Sequence, residues 1–168
     1  MKKLVLSLLF ISMNGFAEIS SDPKNWSVVT DKVMGGQSTL EFFFDKGLYE
    51  LQGNVSTKNN GGFVRLGQDI KFKDNSVKGL KFKAKGNNET YEVHATLRGI
   101  KVPPWSYFSQ PFAVTEDWQE FEIYFSDFSA QGYSVRSMQP TNIRNLSFAG
   151  FGRDFLVDLT IKDITVIN

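Results

Sequence analysis

One histidine occurs in the sequence, and its neighbours give it a chemical setting. Apolar and polar residues alternate over residues 91–98, and this period of two predicts a β-strand with one face in the core and one in water. On the outer face, His94 lies in a row with Glu92, Thr96 and Arg98. These side chains offer directed hydrogen bonds to a hydroxylated ligand, so we predict His94 and Arg98 as ligand-binding residues.

A structural role is the alternative for the same row. Lysines alternate with apolar residues over residues 80–85, which predicts a second strand with a basic outer face. If the two strands are neighbours, opposite charges across them stabilise the sheet by up to about 1 kcal/mol. His94 would then be a solvated sheet residue rather than part of a binding site.

No motif in the sequence supplies a catalytic template for this histidine. The absence of cysteine excludes a thiol nucleophile, a disulfide and a thiolate metal site. The sequence also lacks the G-x-S-x-G elbow of serine hydrolases and the H-E-x-x-H zinc motif. Carboxylates are plentiful, but no pattern sets two of them at the separation that glycoside hydrolysis requires. We therefore predict a non-catalytic binding function without a cofactor, with a glycan-active enzyme as the alternative.

Two aromatic residues stand at the start of another predicted strand, directly after the rigid proline pair at 103–104. These residues are Trp105 and Tyr107. Aromatic faces stack on sugar rings, so we predict both residues at a ligand surface. The alternative is that they face the core, as half of the aromatic residues in a sandwich must. Trp26 and Trp118 also begin strand-like segments, and we predict both of them as core residues.

Two glycine pairs mark loops of defined shape. The segment WSVVTDKVMGGQS contains Gly35 and Gly36, and the later segment NGGF contains Gly61 and Gly62. Paired glycines indicate a left-handed backbone or a close approach of two chain segments. We expect Gly36 to have a positive φ in a packed loop.

An acidic and a basic residue accompany these loops. Asp31 precedes the first glycine pair, and Arg65 follows the second. We predict that the two side chains form a buried or half-buried ion pair that holds the loops together. The alternative is that both side chains contact a ligand.

Period-two segments and turn residues recur along the rest of the chain and predict an all-β sandwich or barrel. Further strands are predicted at 40–44, 48–55, 62–67, 105–114, 120–125, 143–151 and from 155 onward. The alternation slips by one residue after Lys162, which predicts a β-bulge near Lys162 and Asp163. A break in the period near 126–128 leaves open a short helical turn.

The first 17 residues have the pattern of a secretory signal peptide. Two lysines precede an apolar stretch at 4–11, which is too short to span a bilayer, and small residues precede a cleavage point at Glu18. The alternative is an uncleaved N-terminal anchor. We predict a periplasmic or secreted protein with one domain over residues 18–168 and no membrane span after cleavage.

The charge balance narrows the ligand classes. Without the two lysines of the signal segment, 17 of the 19 basic residues remain against 18 acidic ones, a net charge of −1. A dedicated nucleic-acid-binding protein carries a basic excess, so the sequence predicts no nucleic-acid partner. The same balance gives no attraction to anionic lipid.

The glycine loops and their order along the chain resemble the complex I intermediate-associated protein 30 family. The resemblance rests on Trp26, DKVMGGQS at 31–38, GNVS at 53–56 and NGGF at 60–63. It continues through Tyr91, Trp118 and the last strand from Phe155. The D-x-V-M-G-G-x-S string is fairly specific in combination with the later N-G-G-F.

This resemblance implies an antiparallel β-sandwich, a jelly roll of the galactose-binding-like type. Mitochondrial members assist the assembly of respiratory complex I, which favours a protein partner, whereas the fold favours a sugar. We therefore predict an envelope protein partner or a carbohydrate as the ligand. Folds of this type often carry a structural calcium, but the chain has no strong calcium-loop spacing, and no metal site is predicted.

Overall fold

The computed structural model of the chain describes residues 19–99, 106–132 and 136–168. These residues form eleven strands and several short 3₁₀ turns. The strands are β1 (Ser27–Thr30), β2 (Thr39–Asp45), β3 (Leu48–Val55), β4 (Phe63–Asp69), β5 (Gly79–Gly86), β6 (Thr90–Leu97), β7 (Tyr107–Ala113), β8 (Gln119–Tyr124), β9 (Ser129–Gln131), β10 (Ile143–Phe151) and β11 (Phe155–Ile167). The predicted signal peptide over residues 1–17 and the predicted ligand-binding residue Trp105 lie outside the described residues.

The strands form two antiparallel sheets, as the sequence pattern predicts. One sheet has the order β1-β4-β10-β6-β7-β9, and the other has the order β2-β3-β11-β5-β8. Strands that follow one another in the chain, such as β4 and β5, can therefore lie in different sheets. Within the described residues, no helix is long and apolar enough for a membrane span.

Aromatic side chains join the two sheets in the core. Phe82 of β5 makes edge-to-face contacts with Phe112 and Phe148, which belong to the other sheet, at centroid distances of 5.2 and 5.0 Å. Its ring also stacks on Phe121 of β8 at 5.4 Å. Each such pair adds about 0.5–1.5 kcal/mol beyond the burial of its area. The inner residues of the alternating segments are buried, which confirms the faces that the period of two assigns.

The two tryptophans predicted as core residues have different environments. Trp26 is 8% exposed and packs on Phe148, which confirms its prediction. Trp118 is 37% exposed, and the prediction for it is wrong. The ammonium groups of Lys162 and Lys85 lie 4.1 and 5.4 Å from its ring centroid. Trp118 thus makes cation–π contacts with two lysines instead of packing in the core.

The predicted charge pairing between the outer faces of β5 and β6 is also wrong, because the two strands lie in different sheets. Lys81 of β5 instead pairs with Glu120 at 2.8 Å and with Glu122 at 3.3 Å, both on β8. A period of two assigns a residue to a face but does not identify the neighbouring strand.

The predicted β-bulge is present in the last strand. The register of β11 against β5 shifts between Lys162 and Thr165, and Asp163 has a φ of 55°. A 3₁₀ turn covers Phe125–Asp127, where the period breaks. The periodicity does not predict β1 and β9, which have only four and three residues.

The two glycine loops are joined by one buried carboxylate. Asp31 is 0% exposed. It accepts hydrogen bonds from the backbone N–H and the hydroxyl of Ser38, at 2.9 and 2.5 Å, and from the N–H groups of Gly62 and Phe63, at 2.6 and 3.3 Å. The Ser38 hydroxyl also accepts from the Ser56 N–H at 2.9 Å. We call this arrangement the Asp31 clasp.

The Asp31 clasp replaces the predicted ion pair between Asp31 and Arg65. Within the described residues Asp31 has no cationic partner, and its burial makes it unavailable to a ligand. Arg65 points to the outer face of β4, where its guanidinium lies 5.2 Å from the ring centroid of Phe63. The predicted ion pair is therefore wrong, and Asp31 joins the two loops through backbone N–H groups and a serine instead.

In each glycine pair, one residue has a left-handed backbone and the other lies very close to the Asp31 side chain. Gly35 and Gly62 have φ values of 86° and 125°. Gly36 is not left-handed, contrary to the expectation from sequence. A Cβ atom at Gly36 would lie 2.3 Å from Asp31 Cγ, and one at Gly61 would lie 2.4 Å from Asp31 Oδ2. The loops need glycine at 36 and 61 because the Asp31 carboxylate occupies that space.

We expect Gly36→Ala to destabilise the domain more than Gly35→Ala. The first substitution forces a methyl group into Asp31, with a cost of about 3 kcal/mol. The second places alanine at a positive φ in open space, with a cost of about 1 kcal/mol. Chemical unfolding of both variants measures the difference. Equal costs would contradict the close approach.

Protonation of Asp31 should weaken the fold in acid. Burial alone raises the pKa of Asp31, but the hydrogen bonds from Ser38, Gly62 and Phe63 outweigh it and hold the pKa below its ordinary value. The native state therefore resists protonation, and the stabilisation is lost as the pH falls below about 4. Asp31→Asn should lower the free energy of unfolding by about 2 kcal/mol at pH 7. The NH₂ group of the asparagine cannot accept hydrogen bonds, so it leaves some of the surrounding N–H donors without an acceptor. Unfolding curves from pH 7 to pH 2.5 should show that difference shrinking. A constant difference would contradict the role of the charge.

Candidate functional site

A pocket of about 410 Å³ opens on the outer face of the six-stranded sheet, beside the Asp31 clasp. Its floor comes from three neighbouring strands: Arg65 on β4, Ala149 on β10, and His94 on β6. The side chains of the glycine loops and the strand ends form its walls. The wall residues include Val33, Met34, Asn60, Gly61, Gly62, Phe63, Tyr107 and Phe151.

The histidine of the pocket is buried under aromatic rings. His94 is 3% exposed, although it faces outward from the sheet. Its ring stacks on Tyr107 at a centroid distance of 4.4 Å and meets the edge of Phe151 at 5.5 Å. The solvated histidine of the structural alternative is therefore wrong. Aromatic rings from the two flanking strands, Tyr107 and Phe151, cover His94. The periodicity of the sequence cannot predict burial of this kind, because it does not identify the neighbouring strands.

The protonation states follow from burial and from one short hydrogen bond. His94 Nε2 lies 2.6 Å from a carboxylate oxygen of Glu92. Burial lowers the pKa of His94, although Glu92 opposes this effect. The bond to His94 lowers the pKa of Glu92. At neutral pH a neutral imidazole therefore donates its Nε2–H to an ionised carboxylate.

Tyr107 stays a neutral phenol under the same conditions. Burial and the charge of Glu92 raise the pKa of Tyr107 to about 12. Its ring face stacks on His94, and its edge meets Phe151 at 5.7 Å. The pocket thus combines a rigid aromatic cluster with hydrogen-bonding groups. Among the residues with described positions, no three His, Asp or Glu side chains are grouped to hold a metal ion.

A second cavity of about 200 Å³ continues the pocket along the sheet. Arg65 and Thr96 line both spaces, so the two form one cleft. The hydroxyl oxygen of Thr96 is buried and has no hydrogen-bond partner among the described residues. The remaining lining comes from β1, β4 and β10: Ser27, Val29, Gly67, Asp69, Arg144, Asn145 and Ser147. We call the pocket and the second cavity together the cleft.

The structure brings together only part of the predicted site. Arg65, His94 and Tyr107 meet in the pocket, and Gly61 and Gly62 line its wall. Arg98 does not line the cleft, because its guanidinium donates to the carbonyl oxygen of Ile70. Asp31 lies buried behind the wall, with Gly35 and Gly36 in the same loop.

Several cleft residues are absent from the sequence-based set. Phe151 is the last residue of β10 and Phe63 is the first residue of β4, and the two residues pair with each other across these strands. The alternation of β10 assigns Phe151 to the outer face, but not its position next to His94. Val33 and Met34 are 74% and 51% exposed at the rim, and only their place inside the DKVMGG string could have indicated a role.

Comparison with known proteins supplies a family and a fold. The model of the family described as complex I intermediate-associated protein 30 matches residues 15–155. No protein of curated function matches the chain. The family 11 carbohydrate-binding module from Clostridium thermocellum, in complex with a β-1,3-1,4-mixed-linked tetrasaccharide, superposes with a TM-score of 0.68. It is 14% identical, and the match covers 90% of this chain and 95% of the module.

Two further structures have the same architecture. A protein described as CBM4 gives a TM-score of 0.59 at 18% identity, over 84% of each chain. The agarase AgWH50C gives 0.57 at 8% identity, where 90% of this chain matches 24% of the agarase. Identities this low establish the fold alone. The structural similarity confirms the predicted jelly roll of the galactose-binding-like type.

The titration of His94 can be followed without ambiguity, because it is the only histidine. We expect a midpoint below its ordinary value of about 6.5, since burial disfavours the imidazolium. Unfolding then takes up a proton, so stability should fall as the pH drops below about 6.5. NMR of the ring resonances measures the midpoint, and His94→Phe should remove this part of the pH dependence. A midpoint at or above 6.5 would contradict the buried, neutral ring.

Proposed function

This chain belongs to the complex I intermediate-associated protein 30 family, and we propose that it is an exported, non-catalytic domain that binds a carbohydrate in the cleft. The observation that carries the proposal is the stack of Tyr107 on His94 beside Phe151, in a pocket that Arg65 also lines. Export rests on the signal-peptide pattern of residues 1–17.

The chemistry of the pocket suits a sugar. A pyranose ring has apolar C–H faces and a polar rim, so it needs an aromatic platform with hydrogen-bonding groups at the edge. Tyr107 and Phe151 provide the aromatic rings, and Arg65 and Asn60 provide donors. A carbohydrate-binding module of the same fold has been solved with a bound tetrasaccharide, which supports the same ligand class here.

The Asp31 clasp prepares the pocket for binding. Asn60, Gly61 and Gly62 in its wall and Val33 and Met34 at its rim belong to the two loops that the clasp joins. Loops held in the binding geometry before a ligand arrives lose less conformational entropy on association.

The charged groups argue for binding rather than hydrolysis. Glycoside hydrolysis uses two carboxyl groups on opposite sides of the scissile bond. Among the described residues that line the cleft, Asp69 in the second cavity is the only Asp or Glu. The nearby Glu92 is engaged by His94 at 2.6 Å.

We expect Tyr107→Ala to lower the affinity for a bound glycan about tenfold. Loss of one aromatic platform costs about 1–2 kcal/mol of binding, and about 1.4 kcal/mol corresponds to tenfold. A glycan array of the chain from Glu18 onward identifies the ligand, and calorimetry measures the affinity. Phe43→Ala is the matched control, because Phe43 is 50% exposed on the other sheet. Equal losses in both variants, or no loss in either, would place binding elsewhere.

A protein partner is the second candidate function. The observation in its favour is the pair of exposed apolar side chains at the rim, Val33 and Met34. Exposed apolar residues that adjoin a cleft are typical of protein contacts. An envelope protein whose co-purification is lost with Met34→Ser but kept with Tyr107→Ala would favour this function over sugar binding.

A further inference from the structure

The second cavity contains two arginines without acidic partners. Arg65 lines both parts of the cleft, and Arg144 on β10 lines the second cavity. Within the described chain, neither guanidinium forms an ion pair or a side-chain hydrogen bond. The contact that Arg65 does make is with the ring of Phe63, at 5.2 Å from the centroid.

The two cations line the same cavity. Burial lowers the pKa of Arg65, and the charge of Arg144 lowers it further. A half-buried guanidinium beside a second one is unfavourable unless an anion offsets the two charges. Arg144 is exposed at the mouth, so the pair is open to a ligand from solvent.

The two carboxylates near the cleft, Asp69 and Glu92, form no ion pair with either arginine. Asp69 lines the second cavity but accepts a hydrogen bond from the Asn145 amide at 2.9 Å. Glu92 is bound to His94. The second cavity therefore contains two guanidinium groups and one carboxylate, Asp69, which is not paired with either of them.

An unpartnered hydroxyl marks the junction of the two spaces. The Thr96 oxygen is buried without a hydrogen bond among the described residues, and Thr96, like Arg65, lines both cavities. Buried hydroxyls in native proteins nearly always have a partner, so a group that reaches this point would satisfy it.

We propose that the second cavity is a subsite for the carboxylate of a uronic acid, and that the cleft binds an acidic oligosaccharide. This inference rests on the proposed carbohydrate function. In this arrangement, the apolar C–H face of one sugar ring lies against Tyr107 in the pocket. The carboxylate of the next ring lies between Arg65 and Arg144 in the second cavity. A guanidinium donates two parallel N–H groups to a planar carboxylate, and these charge-assisted hydrogen bonds are roughly twice as strong as those to a neutral sugar hydroxyl.

The test compares ligands that differ only in charge. Tetrasaccharides of glucuronate, galacturonate, mannuronate and guluronate are each titrated beside the same tetrasaccharide with its carboxyl groups reduced to alcohols. We expect at least one acidic member to bind tenfold or more tightly than its reduced form. This preference should shrink as sodium chloride rises from 20 to 500 mM, because salt screens an open cleft.

Arg144→Gln then assigns the preference to the second cavity. Arg144 is exposed, so its replacement should leave the fold intact, and the ratio of acidic to reduced affinity should fall towards one. Arg65→Gln should have the same effect on the ratio. Lys83→Gln, on the outer face of the other sheet, is the matched control and should keep the full ratio.

The other outcomes separate this inference from the function it rests on. Equal binding of the acidic and reduced forms overturns the uronate subsite and leaves carbohydrate binding intact. A preference that persists in both arginine variants overturns the assignment to this cavity. If neutral glycans bind on the array but no uronate does, the subsite alone is refuted. If no glycan of either kind binds, the proposed function fails with it.

Discussion

A single buried carboxylate sets the geometry of the cleft wall. Asp31 is inaccessible to solvent and carries its charge without a cation among the described residues. Hydrogen bonds from Ser38, Gly62 and Phe63 compensate the loss of hydration, and this is how a desolvated carboxylate stays ionised. Because the donors come from two loops distant in sequence, neither loop can move without leaving a charge unpaired, which is costly in the interior. The glycines at 36 and 61 follow from the same constraint, since they make room for the carboxylate.

The rest of the site depends on that fixed wall and on the outer face of the six-stranded sheet. The inner face is closed by rings such as Phe82 and Phe148. The outer face places His94, Arg65 and Tyr107 side by side, since β4, β10, β6 and β7 are successive neighbours in the sheet. A β-sheet holds outward side chains at fixed spacing, so the aromatic cluster needs no further support than its own stacking.

The electrostatics of the cleft point to recognition. Burial keeps His94 neutral and Tyr107 protonated, while Glu92 is ionised and bound. These groups hold one another in place and leave the guanidinium groups of Arg65 and Arg144 as the available charges. The family is described as complex I intermediate-associated protein 30, and one solved structure of the same fold has a bound tetrasaccharide. A fold does not determine a function, and our proposal of a sugar ligand therefore rests on the side chains of the cleft.

The local sequence pattern was sufficient to predict that this protein is built from two β-sheets. A period of two assigned the faces of the strands, the slip after Lys162 located the bulge, and the glycine pairs located the two loops and the family. Tertiary structure alone decided which strands are neighbours, and with them the site. It separated β5 from β6, placed Phe151 against His94, turned Arg98 to the Ile70 carbonyl and gave Asp31 backbone donors instead of Arg65. The physical reason is that alternation is a property of one strand and can be read from its own residues. Strand neighbours and loop contacts form between segments far apart in the chain, and the order of the residues does not tell how close two such segments lie in space.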